Sequence, residues 1–389
     1  MKPCHLLAVP VFALVFIACQ EDQPPLSECA GYLGCSANQQ IGPPETEPEV
    51  MIVDEPGVRP VGVNAVQRSG GCGKPLPADT PATVPGTSTG YKQYTVMGTG
   101  VTLAGTIPAK AGPRTFWVRV PADYDPERAY RVVYLGQGCG APQTANTATW
   151  PLYDESLGGT EDAVYVAIDL PATSPHLGCY DDRDGPASQE WEAFQLFHQV
   201  VDATYCVDNN RIYVAGYDSG GWLANMWGCY FAGSGEAPEG EPGPRTFAPQ
   251  FHLRGQAALA GAEPQDQPAC NGPVAAFFVH DTNDQTVAIS GALAALARVG
   301  RMNGCDTDYD PTTRAQPTKV QRPKNQEPWH PEVMALGEET CWKFVTCPRD
   351  YPVVFCTTAG LGHSDQRQRV TAGLKLFLDE LSPDPGYTE

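Results

Sequence analysis

Short apolar runs alternate with helical patterns along most of this chain. Runs dominated by apolar residues predict seven strands, in RTFWVRVP (114–121), RVVYLGQG (131–138), DAVYVAIDL (162–170), RIYVAG (211–216), QAALAGA (256–262), VAAFFVHD (274–281) and PVVFCTTAG (352–360). Apolar residues spaced three and four apart predict helices over 191–205, 223–230 and 288–300. This alternation predicts an α/β fold, with a mostly parallel central sheet, helices on both faces and functional groups at the carboxyl ends of the strands.

The first residues have the pattern of an export signal. One lysine precedes an uncharged run from Leu6 to Ala18, which is too short to span a membrane but suits a signal peptide. Cys19 ends a lipobox-like sequence, so we expect it to be lipidated, with ordinary secretory cleavage as the alternative. Either route predicts an exported protein, extracellular or anchored to the outer membrane by its N-terminal lipid.

Composition divides the rest of the chain into two parts. Residues 20–70 are rich in Pro, Glu and Gln and show no sustained apolar period. We therefore predict a signal peptide with its lipobox over 1–19, a linker over 20–70 and one folded domain over 71–389.

The net charge indicates which partners the protein can have, and the cysteine content indicates the compartment in which it folds. Forty-five acidic against 25 basic residues give a net charge of −20, which repels nucleic acid, so we expect no nucleic-acid partner. Fourteen cysteines, less Cys4 in the signal and Cys19, leave an even twelve, as expected for disulfides formed outside the cytoplasm. Because no CxxC pair and no cysteine beside a histidine at zinc spacing occurs, we expect neither a metal nor a cofactor.

The stretch VAGYDSGGW (214–222) has the glycine spacing of a nucleophile elbow, a tight strand-to-helix turn. The positions two before and two after the apex of such a turn must be small. Gly216 and Gly220 meet this need around Asp218, whereas an apex at Ser219 would place Tyr217 in the turn. Sterics therefore predict Asp218 at the apex.

Further polar residues follow other predicted strands. Asp281 and Asp284 come after VAAFFV, and His363 comes after PVVFC. Apex residue, acid and histidine stand in the chain order of the catalytic triads of α/β-hydrolases. The turn 137–140, which follows another strand, offers backbone N–H groups for an oxyanion.

With these pieces in view, the domain resembles secreted feruloyl esterases of carbohydrate esterase family one and the related polyhydroxybutyrate depolymerase-like esterases. The resemblance is carried, in the family's order, by GGCGKPLP, FWVRVPADYDPERAYRVVYLGQGCG, YCVDNNRIYVAGYDSGG, VHDTNDQTV, RMNGCD and CPRDYPVVFCTTAGLGHSD. These segments cover most of the domain. The resemblance implies an α/β-hydrolase fold, stapled by disulfides, and substrates that are small or polymer-linked esters such as feruloyl groups or hydroxyalkanoates.

The resemblance also implies roles for individual residues. Asp284, four residues after His280, would be the triad acid and His363 the base, with oxyanion N–H groups at about Cys139 and Ser219. It further implies that six cysteines pair as Cys206–Cys229, Cys305–Cys341 and Cys347–Cys356. Six of the twelve cysteines then remain, of which Cys29 and Cys35 could close a local bridge within the linker. The other four lie in the domain with three pairings open: Cys72, Cys139, Cys179 and Cys270.

The chain departs from the family at two positions. Gln137 stands where the family usually has histidine, and Asp218 stands where it has the serine nucleophile. Attack of a carboxylate on an acyl carbon would form an anhydride, and its charge would oppose the developing oxyanion. We therefore expect ester hydrolysis in which Asp218 orients a water with His363, or in which Ser219 reaches His363.

Two alternatives remain open. The first is a catalytically silent binding protein on the same scaffold. The second is a hydrolase with an aspartate nucleophile, like haloalkane dehalogenases and epoxide hydrolases, which this chain resembles only at the elbow. Dehalogenases commonly have tryptophan where this chain has Ser219, and no insertion has the length of their helical cap.

Overall fold

The computed structural model describes residues 66–97, 113–140, 151–154, 159–170, 178–180, 189–232, 253–263, 272–305, 326–330, 340–364 and 366–381. All of them lie in the structural unit Val58–Glu389. The predicted signal peptide with Cys19, and most of the predicted linker, lie outside the described residues. Among the helices that are described, none is long and apolar enough to cross a membrane.

The described strands form one sheet. In chain order they are β1 (Tyr91–Met97), β2 (Pro113–Arg119), β3 (Tyr130–Gly136), β4 (Ala163–Ile168), β5 (Val207–Tyr217), β6 (Leu253–Leu259), β7 (Ala275–Asp281), β8 (Gln326–Pro328), β9 (Thr340–Phe344) and β10 (Val353–Thr358). Their order across the sheet is β1-β2-β4-β3-β5-β6-β7-β10-β9-β8. The six strands from β4 to β10 in that order run parallel, while β1, β2, β8 and β9 pair antiparallel at the two edges.

Within the described ranges, four α-helices cover the two faces of this sheet: α1 (Gln189–Thr204), α2 (Ser219–Tyr230), α3 (Ile289–Asn303) and α4 (Arg367–Leu381). Successive side chains of a strand point to opposite faces. Tyr134 of β3 accordingly packs with Phe194 of α1 and Trp227 of α2, while its neighbour Val133 joins the core beneath α4. The predicted α/β-hydrolase fold is confirmed, with its core on both sides of the sheet.

All seven predicted strands and three predicted helices occur, with boundaries shifted by up to four residues. Strands β1, β8 and β9 and helix α4 were not predicted from the sequence. Strands β1 and β8 are the two edge strands of the sheet, where exposed positions interrupt the apolar pattern, and β9 lies next to the edge strand β8 and is only five residues long. Helix α4 does carry a signal, because Val370, Leu374, Phe377 and Leu381 are spaced four, three and four apart and are buried.

Contacts of the domain begin slightly before the predicted boundary at residue 71. The Asn209 N–H donates to the Gln67 carbonyl, and the buried Ser69 hydroxyl donates to the Tyr205 carbonyl over 2.6 Å. The Val207 N–H donates back to that hydroxyl over 2.9 Å. The segment before Cys72 is thereby held against the start of β5.

The three predicted disulfide pairings are wrong, although all six cysteines are disulfide-bonded. The observed pairs are Cys72–Cys206, Cys139–Cys179, Cys305–Cys347 and Cys341–Cys356, and the partner of Cys229 lies outside the described residues. Register decides one pair, because Cys341 and Cys356 stand directly opposite each other on β9 and β10. Tertiary contact decides the pair Cys72–Cys206. Residues 67–69, just before Cys72, run beside the start of β5, and the Cα atoms of the two cysteines lie 3.9 Å apart.

Candidate active site

Asp218 stands at the sharp turn between β5 and α2. Its backbone has φ 54° and ψ −118°, in a region that few residues other than glycine adopt. The surrounding turn requires glycines. A Cβ at Gly216 would lie 1.8 Å from the Gly220 carbonyl oxygen, and one at Gly220 would lie 2.4 Å from the Gly136 carbonyl carbon. The chain at 216–220 therefore has the strained geometry of an elbow, with a carboxylate at its apex.

Asp284 and His363 meet at the same edge of the sheet, after β7 and β10. His363 Nδ1 lies 2.7 Å from Asp284 Oδ2. The other carboxylate oxygen of Asp284 accepts the N–H groups of Thr286 and Val287, each over 2.9 Å. Because Asp284 is fully buried and held at both oxygens, it fixes the orientation of the His363 ring.

The opposite nitrogen of His363 faces the elbow. Nε2 lies 3.2 Å from Asp218 Oδ1, an ion-pair distance, but its N–H is not aligned for a hydrogen bond. The Asp218 carboxylate raises the pKa of His363 to about 9, against the opposing effect of burial and with further help from Asp284. His363 is therefore protonated at neutral pH and forms a cation between two carboxylates.

The second oxygen of Asp218 accepts a hydrogen bond from Cys139, one of the two residues whose N–H groups were predicted as oxyanion donors. The N–H of Cys139 donates to Asp218 Oδ2 over 2.8 Å. The loop that carries this donor is held by the Cys139–Cys179 disulfide and by a hydrogen bond from Gly140 N–H to the Gly178 carbonyl. Position 138 has room only for glycine, since a Cβ there would lie 2.9 Å from Asp218 Oδ2.

Ser219 lies one residue along, at the start of α2, and is fully buried. Its hydroxyl donates to the Gln137 carbonyl over 3.1 Å, and the Gly220 N–H donates to the same carbonyl over 2.9 Å. The Ser219 hydroxyl is therefore engaged at the end of β3, and its described hydrogen bond does not involve His363. Asp218, not Ser219, is the apex side chain that contacts the histidine.

Asp281, the other carboxylate that follows the run VAAFFV, bonds to residues near the end of β10 and not to the His363 ring. One of its oxygens accepts the Thr358 hydroxyl and the Leu361 N–H, each over 2.8 Å. Burial raises the pKa of Asp281, but the hydrogen bonds of Asn283, Leu361 and Thr358 outweigh it and leave the pKa below its ordinary value. Asp281 thus joins the loop that carries Asp284 to the loop that carries His363.

Tyr217, a neighbour of His363, was not predicted as a site residue from the sequence. The Tyr217 hydroxyl donates to the His363 carbonyl over 2.8 Å, and the two rings lie 5.5 Å apart. A bulky residue directly before an elbow carries no sequence signal for such a contact. Across the described ranges, no three His, Cys, Asp or Glu side chains gather in a group that could hold a metal ion.

The order of strands, the elbow after β5, the carboxylate after β7 and the histidine after β10 define a domain of the α/β-hydrolase class. A curated relative, feruloyl esterase D of Neurospora crassa, is 23% identical over 250 residues, covering 60% of this chain and 75% of the relative. The resemblance of the domain to feruloyl esterases is confirmed by this match.

Two solved structures are similar at low identity. The ferulic acid esterase of Anaeromyces mucronatus in complex with ferulic acid, of carbohydrate esterase family one, is 14% identical, with 78% of this chain and 94% of that chain covered and a TM-score of 0.42. The acetyl xylan esterase of Aspergillus awamori is 11% identical, with 70% and 94% covered and a TM-score of 0.45. The comparison with family models finds no match.

Proposed function

We propose that the domain is a carboxylic-ester hydrolase acting on feruloyl or related esters, in which Asp218 replaces the serine nucleophile by activating a water. The observation that carries the proposal is the position of His363, held 2.7 Å from Asp284 and 3.2 Å from Asp218 at the elbow. The sequence match to feruloyl esterase D supports the substrate class.

The geometry favours different roles for Asp218 and His363, the first as general base and the second as general acid. Asp218 accepts a proton from a bound water, whose oxygen attacks the acyl carbon, and the protonated His363 donates its proton to the departing alcohol oxygen. The carboxylic acid left on Asp218 then returns its proton to His363. Protonation of Asp218 also weakens its hold on the Cys139 N–H, which becomes able to stabilise the oxyanion.

One observation favours a second candidate, a silent binding protein. Asp218 Oδ2 accepts the Cys139 N–H, and Oδ1 forms the ion pair with His363, so the carboxylate already engages both groups that a substrate would need. Such a domain would bind an ester or its polysaccharide without turnover.

Hydrolysis of methyl ferulate by four proteins separates these functions: wild type, Asp218→Asn, Asp218→Ser and Ser219→Ala. Water activation by Asp218 predicts an active wild type, a loss of about 100-fold or more in Asp218→Asn, and little change in Ser219→Ala. A wild type that Ser219→Ala inactivates would establish the serine route instead. An inert wild type with an active Asp218→Ser would identify the silent scaffold, and four inert proteins would refute the assignment of the site.

We also propose that the chain is exported and lipid-anchored. The disulfides of the described residues favour an oxidising compartment outside the cytoplasm. Labelling with a radioactive fatty acid in a bacterial host tests the anchor, since Cys19→Ala should abolish incorporation. Label retained by that variant would contradict lipidation at Cys19.

A further inference from the structure

The loop that carries His363 is rich in glycine and lies at the surface between β10 and α4. Gly360 and Gly362 both adopt positive φ, at 83° and 60°, a region that glycine enters without steric cost. Ala359, Gly360 and Ser364 are exposed. Because such a backbone has many accessible conformations, contacts with other elements are needed to keep His363 beside the elbow.

Side chains from two other strands hold this loop. Asp281, at the end of β7, accepts the N–H of Leu361 over 2.8 Å. The hydroxyl of Tyr217, at the end of β5, donates to the His363 carbonyl over 2.8 Å. The imidazole ring is held separately by Asp284, whose Oδ2 lies 2.7 Å from Nδ1. Of these contacts, the Tyr217 bond is the one that joins the backbone of His363 to the strand that ends in the elbow.

The Tyr217 ring borders both loops of the site and packs against the core on the α4 side of the sheet. Its centroid lies 5.5 Å from the imidazole centroid of His363, with 31° between the ring planes. A Cβ placed at Gly138, in the turn 137–140, would lie 3.3 Å from Tyr217 Cε1. Packing on these sides limits the rotation of the ring and thereby directs the hydroxyl toward the His363 carbonyl.

From these contacts we infer that Tyr217 is a positioning residue: its hydroxyl sets the distance between His363 and Asp218 on which the proposed ester hydrolysis depends. Tyr217 directly precedes Asp218, so a bond from its side chain to the His363 backbone closes a short link between the two groups. Loss of the hydroxyl would let the loop carry His363 away from the elbow and lengthen the 3.2 Å between Nε2 and Asp218 Oδ1. Because this inference rests on the proposed function, its test includes a measurement that needs no turnover.

The pKa of His363 distinguishes a positioning role from a purely structural one. The Asp218 carboxylate is the largest cause of the raised pKa of His363, and the interaction between the two charges weakens with distance. A longer separation therefore lowers this pKa, whereas a loss of stability without movement of the loop leaves it unchanged. Because Asp284 still holds Nδ1 when the hydroxyl is removed, the pKa should remain above its ordinary value.

The test compares the full chain with its Tyr217→Phe variant, which keeps the packed ring and removes the hydroxyl. Tyr165→Phe is the matched control, because the buried Tyr165 hydroxyl donates to the Thr160 carbonyl over 2.7 Å, near the amino end of β4 and away from the elbow. Proton NMR should show the pKa of His363 lowered by roughly half to one pH unit in Tyr217→Phe and unchanged in Tyr165→Phe. With methyl ferulate, Tyr217→Phe should lower kcat about tenfold and leave KM within about twofold, because the hydroxyl bonds the His363 backbone.

An unchanged pKa of His363 in folded Tyr217→Phe would overturn the inference. A pKa that falls equally in Tyr165→Phe would also overturn it, since the fall would then accompany the loss of any buried tyrosine hydroxyl. A wild type that does not hydrolyse methyl ferulate would count against the proposed function alone, because the NMR comparison still decides whether Tyr217 sets the position of His363.

Discussion

Replacing Asp218 with asparagine should lower the pKa of His363. Asparagine has nearly the same shape and keeps an oxygen that can accept the Cys139 N–H, which now bonds Oδ2 over 2.8 Å. It removes the negative charge that lies 3.2 Å from Nε2. The substitution therefore tests the ion pair with little change in packing.

The structure sets the size of the effect. The pKa of His363 is raised from 6.5 to about 9, and Asp218 is its largest cause, with Asp284 adding to it and burial opposing it. Asp284 remains in the variant, so the pKa should stay above its ordinary value. We expect a fall of about one to two pH units, equivalent to roughly 1.4–2.8 kcal/mol of interaction with the charged ring.

Proton NMR of the imidazole Cε1–H across a pH series measures this pKa, and His363→Gln assigns the resonance. Ser219→Ala is the matched control, because its hydroxyl contacts the Gln137 carbonyl and carries no charge, so the pKa should not change. A pKa in Asp218→Asn that equals the wild-type value would refute the ion pair as the cause of the raised pKa.

Three further predictions concern stability and local geometry. The pKa of His363 in the folded protein lies above its value in the unfolded chain, so the protonated ring stabilises the fold fully below about pH 6.5 and this stabilisation is lost as pH rises through about 9. Urea denaturation should therefore show the free energy of unfolding falling by roughly 1–3 kcal/mol over that pH range. The His363→Gln variant should lack this fall. Gly138→Ala would place a Cβ 2.9 Å from Asp218 Oδ2; we expect it to displace the carboxylate, cost roughly 1–3 kcal/mol of stability and reduce ester turnover, and unchanged kinetics would contradict this. Asp281→Asn should cost about 1–3 kcal/mol and lower the melting temperature, because the two carboxylate oxygens accept the N–H groups of Asn283 and Leu361 and an amide nitrogen would face one of them in either orientation; an unchanged melting temperature would show that this link is dispensable.

Much of the central sheet and the elbow could be predicted from the sequence. The strands beside the elbow are apolar on both faces, so their pattern was plain, and the glycines at 216 and 220 located Asp218 by sterics alone. Strand β9 and helix α4 were missed for different reasons. The first is short and partners β10 only after long-range pairing, whereas the second had the required apolar spacing at Val370 and Leu374 and went unrecognised.

The sequence by itself determined the α/β architecture, the elbow and the residues that stand after β7 and β10, because apolar periodicity and glycine spacing act through local geometry. Tertiary structure alone decided the disulfide pairs, since strand register places Cys341 opposite Cys356. It also decided which oxygen of Asp218 meets His363 and which meets Cys139. Those contacts join segments far apart in the chain. A local sequence pattern cannot specify the distances between such segments, so it could not predict that the Asp218 carboxylate forms an ion pair with His363.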